Sequence, residues 1–254
     1  MKVVILAGGR PSTITDEHEG IPKPMAEIGG RPLIWHIMKS FSTHGFNDFI
    51  ICGGYKVDMI KEYFMNYHAY ESDITIDLHS GNVDYHNKPR EDWRVTVVDT
   101  GIESPTALRI SMVQNYIKDD DFIVTYGDCL SDIAFEDMVV FHKNTDKIAT
   151  MAVAGTTGRN EALRIDDNGK LLGKAMEVEG AWTNACIYIL KKEIFKYLAE
   201  RSHLEQYLMS ELVPLGELVT YKHFGFWSPV ETYRDRMRLE SMWNSETAPW
   251  IKGE

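Results

Sequence analysis

Apolar positions along the first 155 residues switch between two periods. Short continuous runs, Val3–Leu6, Phe49–Cys52, Val95–Val98, Phe122–Thr125 and Ala149–Ala154, predict buried strands. Between them lie stretches with apolar residues three and four apart. Leu33, Ile34, Ile37, Met38 and Phe41 share one face of a helix over Pro32–His44, which Gly45 would stop. Met59, Ile60, Tyr63 and Phe64 do the same over Val57–Tyr67, with the aromatic run Tyr63, Phe64, Tyr67 read as helix-spaced core. Thr106–Tyr116 and Phe135–Asn144 complete the set. Strand and helix in alternation predict an α/β fold: a Rossmann-like three-layer sandwich around a mixed, mainly parallel sheet.

The rhythm changes after about residue 155. Leu163–Ile165 and Lys170–Leu172 flank Asp166-Asp167-Asn168-Gly169, which reads as a hairpin with an Asn-Gly turn. Thr183–Leu190 and Leu218–His223 read as strands, Ile194–Arg201 and Leu204–Leu215 as helical, and Thr232–Asn244 as a closing helix. The polar stretch Asp84–Trp93 reads as a mobile loop. No linker or repeat divides the chain. It is therefore read as one domain over 1–254, with one half at about 1–154 and a smaller β-rich half at about 155–254.

The 254 residues are enough to bury a sizeable core. A net charge of −11 argues against non-specific nucleic-acid binding, which needs a basic face, but permits a local cationic pocket. The cysteines Cys52, Cys129 and Cys186 are far apart, which gives no zinc signature and fits a reducing cytoplasm. The opening apolar run is too short for a signal peptide, and no stretch reaches the length of a membrane span. The histidines show no metal-ligand spacing.

In open, mainly parallel sheets, ligands bind at the carboxyl ends of the strands. Two segments fall there. Leu6-Ala7-Gly8-Gly9-Arg10 leaves the first strand, and its glycines let backbone N–H groups approach a ligand that side chains would block. Tyr126-Gly127-Asp128 leaves the strand Phe122–Thr125 and offers a carboxylate to a metal. Lys23, held between Pro22 and Pro24, supplies a cation. Phosphate cradle, cation and metal ligand together point to phosphoryl-group chemistry. A Rossmann dehydrogenase is disfavoured, because no GxGxxG follows the first strand. The bland readings are a solvated loop lysine for Lys23, a helix cap for Asp128, and a plain turn for Gly8 and Gly9.

Val4-Ile5-Leu6-Ala7-Gly8-Gly9, Pro22-Lys23-Pro24-Met25-Ala26-Glu27-Ile28-Gly29-Gly30, Trp35-His36-Ile37-Met38, Asp48-Phe49-Ile50-Ile51-Cys52-Gly53-Gly54-Tyr55-Lys56, Val98-Asp99-Thr100-Gly101, Thr125-Tyr126-Gly127-Asp128 and Gly225-Phe226-Trp227-Ser228-Pro229-Val230-Glu231-Thr232 follow in that order. In this order the chain resembles the nucleotidyltransferases that make nucleotide sugars, and most closely their glucose-1-phosphate cytidylyltransferase branch. The resemblance implies attack by an acceptor phosphate on the α-phosphorus of CTP, with release of pyrophosphate and a need for magnesium. It implies that Lys23 stabilises triphosphate charge, that Asp128 and Glu231 hold the metal, and that Leu6, Ala7, Gly8, Gly9, Thr100 and Gly127 bind the nucleotide. Arg109 either contacts the triphosphate or closes a salt bridge. Glu231 is a metal ligand or an acid at a helix N-terminus. Relatives self-associate, so a homo-oligomer is expected.

The departures concern the acceptor. The family's Gly-Gly-x-Gly-Thr-Arg is Gly8-Gly9-Arg10-Pro11-Ser12-Thr13 here, so Arg10 is a candidate for the lost arginine. Its Glu-Lys-Pro is Met176-Glu177-Val178, its Gly-Arg-Phe-Gly is Gly158-Arg159-Asn160-Glu161, and its Asn-Gly-Gly is Asn184-Ala185-Cys186. A lysine for the acceptor phosphate is gone, and Glu161 and Cys186 fill glycine positions. The resemblance then implies a small phosphorylated acceptor other than a hexose, L-glutamine phosphate, giving CDP-L-glutamine for a capsule phosphoramidate. Arg159, Glu161, Lys174 and Asn184 are the candidate acceptor residues. Glucose 1-phosphate as acceptor, and a catalytically silent nucleotide-sensing module, are the competing readings.

Overall fold

The computed structural model describes residues 1–9, 20–87, 90–155, 162–166, 169–175, 182–198 and 203–251. Nine strands form the central sheet: β1 (Val3–Ala7), β2 (Asp48–Gly53), β3 (Arg94–Asp99), β4 (Asp121–Tyr126), β5 (Ala149–Gly155), β6 (Ala162–Ile165), β7 (Leu171–Ala175), β8 (Trp182–Lys191) and β9 (Leu218–His223). Strands β4, β1, β2 and β3 lie side by side and parallel, with Leu6 opposite Tyr126 and Cys52. Strand β8 runs antiparallel to β4 on one side and to β5 on the other, and β9 pairs parallel with β5. The hairpin β6–β7 joins the far end of β8 through Leu163 and Trp182. The sheet is mixed and mainly parallel, as the alternation predicts.

Alternate residues of β1 enter opposite layers, as a pleated strand requires. Val3, Ile5 and Ala7 pack with Leu33, Ile37, Met38 and Phe41 of helix α1 (Leu33–Ser42), and with Leu239 of the closing helix. Val4 and Leu6 pack with Ile110 and Val113 in and just after helix α3 (Thr106–Met112), and with Leu204 and Leu208. These side chains are nearly solvent-free, and burial of each contributes about 1.5–3 kcal/mol. The remaining long helices are α2 (Val57–Met65), α4 (Phe135–Thr145) and α5 (Tyr233–Asn244). Among the described residues no helix is long and apolar enough to cross a membrane.

Several boundaries differ from the sequence expectation. The helix expected over 57–67 stops at Asn66, where Tyr67–Glu71 starts afresh. The one expected over 106–116 ends at Met112 and tightens into a 3-10 turn, Gln114–Tyr116. Only a 3-10 turn, Lys192–Lys196, forms where a helix was expected from Ile194, and residues 199–202 lie outside the described set. Leu204–Leu215 is helical but passes through a π turn at Leu208–Leu212. Part of the expected loop over 84–93 is strand: Val83–Tyr85 pairs with Ile74–Ile76. Two short strand pairs were not anticipated, Cys129–Ser131 with Trp227–Pro229 and Glu27–Ile28 with Arg31–Pro32. At the expected Asn-Gly turn, Gly169 takes φ +81°, while Asp167 and Asn168 are outside the described residues.

Candidate active site

The carboxyl ends of β1 and β4 open onto a cavity of about 530 Å³. Eight of the candidate residues line it: Leu6, Ala7, Gly8, Gly9, Lys23, Arg109, Gly127 and Asp128. The two strand ends are tied together by the Gly127 N–H, which donates to the Leu6 carbonyl at 3.0 Å. A side chain at position 127 would meet the Pro24 ring at 2.9 Å, so glycine there lets the Lys23-Pro24 turn close over the strand end. That turn is a single 3-10 turn, Lys23–Met25, entered from Pro22 in an extended conformation.

Lys23 Nζ donates to Asp128 Oδ2 at 3.1 Å, and both side chains remain partly open to solvent. The cation and the carboxylate expected from separate motifs, 105 residues apart, are therefore neighbours at one cavity wall. Asp128 caps no helix. It leads into Cys129–Ser131, and the next helix begins only at Phe135. Strand pairing brings the backbone just before Glu231 beside Asp128, although Glu231 is not among the residues that line the cavity. Pro229 sits opposite Cys129, and the Val230 N–H donates to the Asp128 carbonyl at 2.8 Å. The N-terminus of α5 is capped by Thr232 and Asp235, whose side chains and backbone N–H groups bond reciprocally. Glu231 lies one residue before this cap and its N–H donates to Asp235 Oδ2 at 3.3 Å, so it is also an acid at a helix N-terminus.

Thr100 and Arg109 stand behind the cavity floor. Thr100 is buried and donates to the Gly53 carbonyl at 2.6 Å. Arg109 is nearly solvent-free. Its Nη1 donates to the Gly53 carbonyl and to Thr100 Oγ1, at 3.2 and 2.7 Å. Its Nη2 donates to the carbonyls of Gly8 and Ile102, at 3.1 and 3.0 Å. All four terminal N–H groups are engaged by the protein, leaving only Nε–H. No carboxylate is among these partners. Burial draws the guanidinium below its ordinary value. A Cβ on Gly8 would lie 1.9 Å from Nη1, so the arginine and the glycine require one another.

Strand β8 is irregular near Cys129, whose Sγ donates to the Ala185 carbonyl at 3.8 Å. Against β5 its register shifts between Met151 and Val153, which face Tyr188 and Asn184, and three β8 residues bulge over one. Cys186, within that bulge, takes φ +59°. Asn184 spans the bulge: its Oδ1 accepts from the Cys186 N–H at 2.9 Å, and its Nδ2 donates to the Tyr188 hydroxyl at 2.5 Å. Trp227 Nε1 holds the Ala185 carbonyl at 2.9 Å. Burial raises the Cys186 thiol well above its ordinary value, and the charges of Asp128, Glu205 and Glu231 add to the rise. It is therefore a neutral thiol. Arg10, Arg159 and Glu161 lie outside the described residues, as do Met176, Glu177 and Val178. Of Lys174 only the backbone is described, opposite Leu163 in β7.

The sequence reading missed the rim formed by Glu103, Ser104, Pro105 and Thr106, and by His203. The first four follow the carboxyl end of β3, so the rule that selected Gly8 and Asp128 would have found them. His203 arrives from the second half of the chain, and no local signal marks it.

Two parallel strand ends with a glycine turn, a lysine and a carboxylate around one cavity define an enzyme that handles nucleotide phosphates. The chain belongs to the nucleotidyl transferase family, whose model matches residues 2–217. It is similar to the glucose-1-phosphate cytidylyltransferase of Salmonella typhi, at 41% identity over 98% of each chain. In fold it is similar to HddC of Yersinia pseudotuberculosis, with a TM-score of 0.74 and 20% identity over 95% of this chain and 99% of that one. It also resembles the inositol-1-phosphate CTP transferase of T. maritima, with a TM-score of 0.66 and 12% identity over 94% of each. At such identities these two likenesses concern the fold.

Proposed function

We propose that the protein joins CTP to L-glutamine phosphate, releasing pyrophosphate and forming CDP-L-glutamine. The observation that carries the transfer chemistry is the meeting of Lys23 and Asp128 at the strand-end cavity, 3.1 Å apart. An acceptor phosphate oxygen attacks the α-phosphorus. The bond from that phosphorus to the oxygen bridging to the β-phosphorus breaks, and pyrophosphate carries away the electron pair. Little covalent work is asked of the protein, which positions the partners and neutralises charge. Gly8 and Gly9 expose backbone to the phosphates, and Lys23 places its charge where negative charge develops.

Asp128 and Glu231 suit magnesium. That ion takes one or two carboxylates and completes its shell with substrate phosphates and water. Among the described residues no cluster of three or more His, Cys, Asp or Glu is present, so a protein-only cage is not what the site offers. Magnesium held there supplies a counter-charge to the triphosphate. Asp128 and Glu231 would hold the ion, and Lys23 would then be free of Asp128 to serve the phosphates.

The acceptor assignment rests on the missing lysine at Met176-Glu177-Val178 and on Cys186 in the bulge. A second reading, glucose 1-phosphate as acceptor, is favoured by the 41% identity to the Salmonella typhi enzyme. One experiment separates them. Purified protein is supplied with CTP, magnesium and either acceptor, and the CDP-linked product is read by mass spectrometry. CDP-L-glutamine supports the proposal. CDP-glucose alone would replace it with the second reading, and no product from either, with CTP still bound, would favour a sensing module.

A further inference from the structure

A chain of hydrogen bonds crosses from the nucleotide cavity to the bulge of β8, and its centre is a residue outside both. Glu205 lies on the short helix Leu204–Tyr207, half-buried. Its Oε1 accepts from the Tyr126 hydroxyl and, at 3.1 Å, from the Tyr188 hydroxyl. Tyr126 is the last residue of β4 and lines the cavity, two residues before Asp128. Tyr188 is fully buried and accepts from Asn184, which in turn holds the Cys186 N–H. The helix start is pinned to the cavity rim by the Leu204 N–H, which donates to Thr106 Oγ1 at 2.7 Å.

Each tyrosine hydroxyl donates its single proton to the Glu205 carboxylate. They are therefore fixed donors, and the carboxylate is their shared acceptor. The two anchored features differ in origin. Tyr126 belongs to the parallel, nucleotide-side strands, and Tyr188 belongs to the antiparallel strand that carries the bulge. Glu205 comes from a third segment, joined to them only by folding.

We infer that Glu205 is a positioning residue for both substrates: it sets Tyr126 against the nucleotide and, through Tyr188 and Asn184, holds the bulge against the acceptor. The inference rests on the proposed reaction for its acceptor arm and not for its nucleotide arm. The carboxylate is not among the groups that line the cavity, whereas Tyr126 is. It acts by denying both tyrosines any alternative placement, because a buried hydroxyl that loses its partner must move or remain unsatisfied.

The test uses the full chain and three variants. Glu205→Leu removes the shared acceptor, Glu205→Gln keeps one oxygen able to accept from both hydroxyls, and Tyr126→Phe cuts only the nucleotide arm. CTP binding is measured by calorimetry with magnesium. KM and kcat are measured with whichever of L-glutamine phosphate and glucose 1-phosphate the unaltered enzyme uses. Glu205→Leu is expected to weaken CTP binding about tenfold and to raise the acceptor KM by a similar factor, the scale of one unsatisfied buried group. Its kcat should stay within about threefold, since no reacting atom is touched. Glu205→Gln should restore most of both, and Tyr126→Phe should weaken CTP without moving the acceptor KM. If Glu205→Leu fails to fold, the Gln and Phe variants decide alone. CTP binding unchanged in Tyr126→Phe, or a Glu205→Gln variant as impaired as Glu205→Leu, would overturn the inference. Should neither acceptor be used, the reaction proposed above fails, while the CTP measurements still judge the nucleotide arm.

Discussion

Replacing Arg109 by Lys isolates what the arginine does, because the charge stays and the fork is lost. Arg109 makes four hydrogen bonds through its two terminal nitrogens, to Gly8, Gly53, Thr100 and Ile102. A lysine ammonium is a compact point at the end of a flexible stem, and cannot reach carbonyls on three separate loops. At least two of the four bonds are lost. At about 1.5–3 kcal/mol for a bond to a charged group, that is roughly 3–6 kcal/mol. Carbonyls near the cavity regain water, which favours the lower end, about 3 kcal/mol. In a chain of this size about 3 kcal/mol corresponds to a fall in Tm of roughly 6–12 °C. Calorimetric melting of the free protein measures it, and CTP titration follows the Gly8 turn. Arg109→Lys and Arg109→Met should both melt low and bind CTP weakly. An arginine acting directly on the triphosphate gives another pattern: the Lys variant keeps both its Tm and its CTP affinity, and only Met loses binding. That result would refute the scaffold assignment.

Lys23→Ala should lose on the order of a hundredfold in turnover, the scale of one electrostatic donor, with unchanged circular dichroism; near-normal turnover would make Lys23 a surface residue. Asp128→Asn should weaken the magnesium dependence of CTP binding in a metal titration, and an unchanged titration would remove Asp128 from the metal site. Burial lowers the His36 imidazole from 6.5 to about 4, so the unfolded chain takes up a proton that the native state refuses. Stability from this group is complete above about pH 6.5 and falls as pH drops toward 4, by about 3 kcal/mol in all, which urea midpoints across that window should show. Cys186→Gly relieves a left-handed backbone that costs an L-residue about 1–2 kcal/mol, so its stability should stay within about 1 kcal/mol of the parent while relative turnover of glucose 1-phosphate rises. An unchanged acceptor ratio would detach Cys186 from acceptor choice.

The strands β1, β2, β4 and β5 were legible because each is buried on both faces. A continuous apolar run of four to seven residues has few other uses in a chain this size. Asp128 was legible for a related reason, since it follows the end of such a run beside Gly127, while Lys23 stood out by its place between Pro22 and Pro24. Their contact was not, since 105 residues separate them and only the pairing of β1 with β4 joins them. The strands Cys129–Ser131 and Trp227–Pro229 were invisible, being three residues each and set by a partner some hundred residues away. Arg109 shows the same limit. Its place in helix α3 is written in the local pattern, but an arginine that bonds three backbone carbonyls has no sequence signature distinct from one that bonds phosphate. Glu205 carried no signal at all, as its partners lie on β4 and β8.

This division also bears on the change of acceptor proposed above. The nucleotide side hangs on main chain: Gly8, Gly127 and the carbonyls gathered by Arg109 are fixed by the register of parallel strands that form the core. A change there disturbs both packed layers. The acceptor side hangs on one antiparallel strand at a bulge, where the ladder is already broken and residues 184–186 are held by side chains, from Asn184 and Trp227. A cysteine in place of glycine at this bulge carries a backbone strain of about 1–2 kcal/mol, as Cys186 does at φ +59°. On the proposed reaction, acceptor specificity can therefore drift at the bulge while Lys23, Asp128 and the strand ends stay in place.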